Sequence, residues 1–264
     1  MLIATDLDGT LLRSDKTISD RTADALERTV ALGTPVVLVT GRPIRWLPLV
    51  YDQLRSPLPA VCANGAVVYD PVADRVLRAD PLEPSVLAEI AKRLREAEPG
   101  VRLAVEIADG REMVHEADYP REWDIDHTGI RAVATPDEIA ALPAVKLLVR
   151  AGKRDPDTFA AVVGRTLGDL AEATHSSYSG LVEVSAAGVT KAAGLAWLCE
   201  RAGVAADEVV AFGDMPNDVA MLAWAGRAVA VGNAHAAVKE VAGEVVASND
   251  DDGVATYLER HFLP

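Results

Sequence analysis

The chain has 264 residues, half of them apolar, and its 26 Lys and Arg stand against 40 Asp and Glu for a formal charge of −14. A chain of this length makes one large domain or a core with a smaller companion, and its apolar content supports a buried core rather than disorder. The acidic balance opposes phosphate backbones, so nucleic acid is not an expected partner.

Apolar runs are short and broken by charge, none approaching the roughly 18 residues that suggest a membrane span, so no membrane partner is expected. Met1-Leu2-Ile3-Ala4-Thr5-Asp6 lacks the basic region of a signal peptide, and a cytoplasmic protein is expected. Cys62 and Cys199 lie far apart in apolar segments, which favours two buried thiols over a disulfide or a metal site.

Leu2-Ile3-Ala4-Thr5 reads as a first strand leading into Asp6. Ser19 to Leu32 reads as a helix capped by Ser19 and ended by Gly33, with Ala23, Leu26 and Val30 facing inward. Val36 to Val39 is apolar on both faces, as in a central parallel strand. Ala60 to Ala63 is a further strand, halted by Asn64-Gly65, and Ala66–Tyr69 with Arg75–Leu77 forms a hairpin around Asp70-Pro71. Asp80-Pro81-Leu82-Glu83-Pro84 is a two-proline connector that opposes helix.

Beyond it the pattern predicts a helix at about 85–97, a strand at 101–107, a polar stretch, and a second helix from near Pro136. A strand from Val145 to Arg150, a helix at about 156–168 and a strand from Leu181 to Ser185 follow. This mixture lacks close βαβ alternation and reads as a separate α+β unit, with Ala186-Ala187-Gly188 as the return hinge. Alternation then resumes: a helix at about 191–202, a strand at Val209–Phe212, a helix opened by Pro216, strands at Val229–Val231 and Val245–Ala247, and a last helix from Gly253 to about His261. The expected fold is α/β, a doubly wound, Rossmann-like parallel-sheet core at 1–80 and 187–264 interrupted by an α+β cap at 81–186.

The unusual polar groups cluster at the C-terminal ends of the core strands, where open α/β sheets bind ligands. In Asp6-Leu7-Asp8-Gly9-Thr10 the two carboxylates, two residues apart in an extended segment, share a face roughly 7 Å or less apart. Like charges at that range call for a cation or a shared proton, and hard oxygen ligands suit Mg²⁺; the plainer alternative is a polar strand-capping turn. Thr40-Gly41-Arg42-Pro43, between a buried strand and a helix start, offers a hydroxyl and amides to an anion, or is an ordinary turn. Lys191, just after the expected N-cap Thr190, opposes the helix dipole and fits an anionic ligand better than a bare surface. In Gly213-Asp214-Met215-Pro216-Asn217-Asp218, Asp218 suits a helix first turn, whereas Asp214 adds a third carboxylate that metal binding explains most simply.

The order Asp-Leu-Asp-Gly-Thr (6–10), Val-Thr-Gly-Arg (39–42), Lys191 and Gly-Asp-Met-Pro-Asn-Asp (213–218) strongly resembles the haloacid dehalogenase (HAD) superfamily of phosphohydrolases. The position and size of the cap resemble its Cof-like, type-IIB branch. The resemblance implies that Asp6 is a nucleophile forming an aspartyl-phosphate and Asp8 a general acid and base. It implies that Thr40 and Lys191 bind the transferring phosphoryl group, and that Asp214 completes a Mg²⁺ site with the Asp6 carboxylate and the Asp8 main-chain carbonyl. Asn217 and Asp218 would orient or support that shell, with Asp218 counted among the metal-binding residues, directly or through water. Phosphoryl transfer is mostly positioning and charge neutralisation, which these groups can supply.

Around this centre, Gly41, Arg42, Asn64, Gly65 and Asn217 are expected to contact phosphate or substrate. Arg45 is a substrate candidate or a solvated surface arginine, and the polar–aromatic stretch Tyr119–His127 is a substrate loop or plain cap surface; with His115 nearby it also offers metal-ligand types, but at no standard zinc spacing, and Glu183 is a further specificity candidate. The expected activity is hydrolysis of a small phosphorylated metabolite, foremost a sugar phosphate, with nucleotides, flavin mononucleotide and pyridoxal phosphate open, by a monomer or small homo-oligomer. A phosphomutase or phosphotransferase shares the same chemistry with another acceptor. A receiver domain orders its acidic residues differently and has no cap. A non-catalytic phospho-ligand module would lack turnover.

Overall fold

The computed structural model describes residues 1–120, 129–133 and 135–263. They fall into two compact units, one of Met1–Arg42, Trp46–Leu77 and Thr190–Pro264, the other of Pro43–Arg45 and Arg78–Val189. The chain begins with β1 (Leu2–Thr5), α1 (Asp20–Ala31), β2 (Val36–Val39), α2 (Pro48–Tyr51), β3 (Ala60–Cys62) and the hairpin β4 (Val67–Asp70) and β5 (Arg75–Ala79). The second unit adds α3 (Pro84–Ala97), β6 (Arg102–Ile107), β7 (Glu112–His115), β8 (Ile130–Ala132), β9 (Lys146–Arg150), α4 (Pro156–Leu167), β10 (Ala171–Thr174) and β11 (Leu181–Ala186). The first unit resumes with α5 (Lys191–Ala202), β12 (Val209–Gly213), α6 (Val219–Trp224), β13 (Arg227–Ala230), α7 (Ala236–Val241), β14 (Glu244–Val245) and α8 (Gly253–His261).

The first unit is built on one sheet in the order β14-β13-β12-β1-β2-β3-β4-β5, parallel from β14 through β3 and antiparallel between β3 and β4. Every residue of β1, β2, β3 and β12 is buried, as the continuous Val, Leu and Ile runs require of strands covered on both faces. The chain winds from β1 outward through β2 and β3, then returns to start again at β12 on the other side. The strand order therefore reverses between β1 and β12, and a crevice at their carboxyl ends is the usual ligand site of such sheets. Phe212 of β12 meets Tyr257 of α8 edge to face, with ring centroids 5.1 Å apart.

α1 follows its sequence signals at both ends: the Ser19 hydroxyl accepts from the Thr22 N–H, and Gly33 lies just past the last turn. Its buried face differs from expectation. Val30 is 40% exposed, while Thr29 is fully buried and donates its hydroxyl to the Ala25 carbonyl at 2.7 Å. That bond satisfies the hydroxyl inside the helix and lets a polar residue take the inward position.

In the second unit the sheet runs β10-β11-β9-β6-β7-β8, antiparallel except for β7 with β8. α3 and α4 pack with one face: Leu87, Ile90 and Leu94 of α3 and Phe159 and Val163 of α4 bury with Leu103 and Val105 of β6. Pro84, expected in a helix-free connector, is the first residue of α3, where its missing N–H has no partner to lose. The helix expected from Pro136 is only a 3-10 segment, Pro136–Ala140, because Pro143 follows and disfavours helical backbone before it. β7, β8 and β10 had no sequence expectation; each is short and lacks a sustained alternation. Residues 121–127 of the polar–aromatic stretch lie outside the described residues. Among the described residues no helix is long and apolar enough to cross a membrane.

Phe159 is fully buried at the centre of the second unit's core. Phe159→Ala is expected to lower unfolding free energy by about 3–5 kcal/mol, read from denaturant titration of the purified protein.

Candidate active site

The ends of β1, β2, β3 and β12 and the start of α5 supply the polar residues singled out by the sequence. β1 leads into Asp6, whose N–H still bonds the Phe212 carbonyl at 3.0 Å, and β12 leads into Asp214. Asp6, Asp214 and Asp218 are buried, and each places a carboxylate oxygen within 4.8 Å of the others. Lys191, in the first turn of α5 behind the N-cap Thr190, is 1% exposed. Its ammonium donates to Asp6 Oδ1 and to Asp218 Oδ1, both at 2.6 Å. The first-turn cation that the helix dipole disfavours is thus held by two carboxylates.

The carboxylates are held as firmly as the lysine. Asp218 Oδ2 accepts the N–H groups of Asp214 and Met215, both at 3.0 Å, so both of its oxygens are engaged. Asp214 Oδ1 accepts the Thr10 hydroxyl at 2.9 Å. Gly9 has φ +84°, and a Cβ there would lie 2.3 Å from Asp214 Oδ2, so only glycine fits this crossing of two loops.

Three buried carboxylates face one ammonium, and their titration shows the imbalance. Burial, with mutual repulsion adding to it, pushes Asp6 up to about 7 and Asp214 up to about 9 against the pull of Lys191. Burial works against the Lys191 charge, but Asp218 and Asp6 outweigh it and raise the lysine above its ordinary value. An all-oxygen donor set of three buried carboxylates, only partly offset by one ammonium, fits a hard divalent cation that would take the place of their protons.

Asp8 does not join this set. β1 stops at Thr5 and the chain turns, so the extended geometry that would align Asp6 with Asp8 is absent. The Asp8 carboxylate instead accepts from Arg42 Nε at 2.6 Å and Nη2 at 2.8 Å, and from Lys16 at 3.0 Å. Burial alone would raise its pKa, but Arg42 and Lys16 outweigh that and hold it down at about 2.

The remaining candidates form a second linked group. The Thr40 hydroxyl accepts the Arg42 N–H at 3.0 Å, and the Thr40 and Arg42 carbonyls accept the N–H groups of Asn64 and Ala63. Asn64, in left-handed backbone at φ 57°, accepts from Asn217 Nδ2 at 3.0 Å. Asn64 Nδ2 and Asn217 Oδ1 are buried without a hydrogen-bond partner among the described residues, so one donor and one acceptor stay unspent between these loops. Gly65, at φ +104°, brings its backbone so close to α5 that a Cβ would lie 1.9 Å from the Thr190 carbonyl.

Arg45, Glu183 and His115 have structural partners inside the second unit. Arg45 forms an ion pair with Glu106, and its side chain is nearly buried rather than solvated. Glu183 bonds Lys146 at 2.7 Å and Ser176 at 2.6 Å, while His115 Nδ1 lies 2.7 Å from the Glu116 carbonyl. Sequence reasoning missed Lys16 and the role of Thr10. Thr10 sits within the first motif, but its tie to Asp214 crosses 204 positions and leaves no local signal.

The family model for haloacid dehalogenase-like hydrolases matches residues 3–258. The chain is 31% identical to the 5-amino-6-(5-phospho-D-ribitylamino)uracil phosphatase YitU of Bacillus subtilis, over 99% of this chain and 97% of that protein. It is 30% identical to the pyridoxal phosphate phosphatase YbhA of Escherichia coli, over 99% and 98% of the two chains. Its fold matches that of a Streptococcus mutans protein at a TM-score of 0.87 and 22% identity, covering 100% of this chain and 99% of the other. With a family match spanning nearly the whole sequence, and relatives of equal length that are phosphatases, the chain belongs to the haloacid dehalogenase-like hydrolases as a Cof-like phosphoric monoester hydrolase.

Proposed function

We propose that the protein hydrolyses small phosphorylated metabolites, foremost sugar phosphates, through an aspartyl-phosphate on Asp6. The observation that carries this reading is the buried Lys191 held between Asp6 and Asp218 beside Asp214. A buried carboxylate oriented by an ammonium and left with surplus negative charge suits a nucleophile whose substrate arrives with a cation. Asp6, Asp214 and the Asp8 main-chain carbonyl would hold Mg²⁺, whose charge lets an anionic ester approach the ionised Asp6. With both oxygens engaged, Asp218 serves as the brace of Lys191 and of the Asp214 loop.

In the first step an Asp6 oxygen attacks phosphorus, the ester P–O bond breaks, and Asp8 gives its proton to the leaving oxygen. In the second, water attacks the same phosphorus, passes a proton to Asp8, and releases inorganic phosphate and free Asp6. Dividing hydrolysis in this way replaces one high barrier by two lower ones. Lys191, Thr40 and the amides around Gly41 orient the phosphoryl oxygens, and Arg42, Asn64, Gly65 and Asn217 line the approach. Asp8 becomes an acid only when substrate draws Arg42 and Lys16 away from it, because their charges keep it ionised.

The substrate class draws on the relatives, one named for a phosphoribityl compound and one for pyridoxal phosphate. Both are small phosphate monoesters. We assign the choice among such esters to the unit at 81–186.

Asp6→Asn and Asp8→Asn are each expected to abolish turnover of an aryl phosphate, and chelation with EDTA to do the same. Full activity in EDTA, or an active Asp6→Asn protein, would overturn the mechanism. The pH dependence has a definite sign. Asp6 and Asp214 keep protons in the folded, metal-free protein at pH values where the unfolded chain, with carboxyls near 4, has released them. Through these groups folding becomes less favourable as pH rises from about 4 towards 9. A bound divalent cation replaces those protons, so the increase in Tm caused by Mg²⁺ should be larger at pH 8 than at pH 6 in calorimetric scans. An increment that shrinks with rising pH would count against a site on these carboxylates.

A further inference from the structure

Asn233 and Asn249 follow β13 and β14 and take no part in the chemistry described above, yet both bond to the turn that carries Asp8. Asn233 Nδ2 donates to the Gly9 carbonyl at 2.7 Å, and its Oδ1 accepts the Asn249 N–H at 3.0 Å. Asn249, 6% exposed, donates through Nδ2 to the Leu12 carbonyl at 2.9 Å. Leu12 is paired to Asp8 by an isolated backbone bridge. The same loop grips the other carboxylate-bearing segment, for the His235 N–H donates to the Asp214 carbonyl at 2.8 Å. One chain segment thus holds the Asp8 turn and the Asp214 loop at once.

The clearance between those two loops is small. Thr10 spans it with one 2.9 Å hydrogen bond to Asp214, and Gly9 crosses Asp214 so closely that a single added carbon would collide. A turn carbonyl served by water can take several orientations, whereas two side-chain amides that donate to the Gly9 and Leu12 carbonyls, tied to each other through the Asn249 backbone N–H, select one. We propose that Asn233 and Asn249 are positioning residues for phosphoryl transfer: their linked amides orient the 8–12 turn, and so place Asp8 against Asp6 and Asp214. This inference rests on the phosphatase reading. Residues that orient a catalytic or metal-binding group from behind typically change activity or metal affinity by about 10–100-fold.

Asn233→Asp is the sharper probe. It keeps the side-chain shape and the acceptor for the Asn249 N–H, loses the donor to Gly9, and sits at an exposed position where folding is not at stake. Asn249→Ala removes the second link. For each variant, kcat and KM for an aryl phosphate are measured, together with the Tm shift produced by Mg²⁺. The expected result is a fall in kcat of about 10–100-fold with KM nearly unchanged. The Mg²⁺-induced Tm shift should shrink, while the metal-free Tm of Asn233→Asp stays near wild type. Asn233→Gln, which restores an amide donor, should recover part of the lost kcat.

A folded Asn233→Asp protein with kcat within about twofold of wild type overturns the proposal. So does a rise in KM with kcat intact, which would make the segment a substrate contact. Should Asn249→Ala fail to fold, Asn233→Asp decides alone. If the wild-type protein turns over no phosphate ester, the phosphatase reading fails on its own; the Mg²⁺ shift then decides, and an unchanged shift in Asn233→Asp rejects positioning.

Discussion

The ammonium of Lys191, enclosed between Asp6 and Asp218, is the contact on which the rest of the site depends. Breaking a buried ion pair by removing one partner is usually destabilising by about 3–5 kcal/mol, because the other charge stays behind without water. Here the stranded charges would be carboxylates already burdened by one another. The same contact sets the chemistry. One ammonium among three buried carboxylates leaves Asp6 oriented and partly neutralised, in an all-oxygen cluster that a divalent cation would suit.

The loop that carries Asp214 and the turn after β1 keep these charges at short range. Asp218 pins the Asp214 loop through two N–H groups, and Thr10 ties that loop to the turn after β1. Gly9 and Gly65 let backbone pass where a single carbon would collide. These crossings lie at the ends of the strands, where the chain leaves the ladder and its N–H and C=O groups become free to bond side chains. The buried strands β1, β2 and β12 supply the rigidity, and the loops that leave them supply the polar side chains.

Asp8 and Asp6, two residues apart, occupy opposite electrostatic environments. Burial, with nearby carboxylates adding to it, pushes Asp6 up against the pull of Lys191, while Arg42 and Lys16 hold Asp8 down against the effect of its own burial. Two carboxylates with separated titration can take different parts in one reaction. The separation arises from a turn of the backbone, since the chain leaves β1 before reaching Asp8.

Much of this could be read from local patterns. Apolar runs located the core strands, Ser19, Thr190 and Gly33 marked helix ends, and the polar clusters after Thr5, Val39 and Phe212 marked the strand ends that meet in the first unit. These signals are short-range, because hydrophobic period and capping chemistry act within a few residues. Readings that needed a neighbour from far away fell short. Val30 lost its inward place to a threonine that satisfies its own hydroxyl, Arg45 met Glu106, and Asp8 turned to Arg42. So the chain's residues by themselves settle the family, the α/β class and which side chains carry charge at the strand ends. Only the folded chain decides which of those charges meet. Lys191 reaches Asp6 across 185 positions, and at such a separation the partner is chosen by sheet order and loop crossing, which no local spacing encodes.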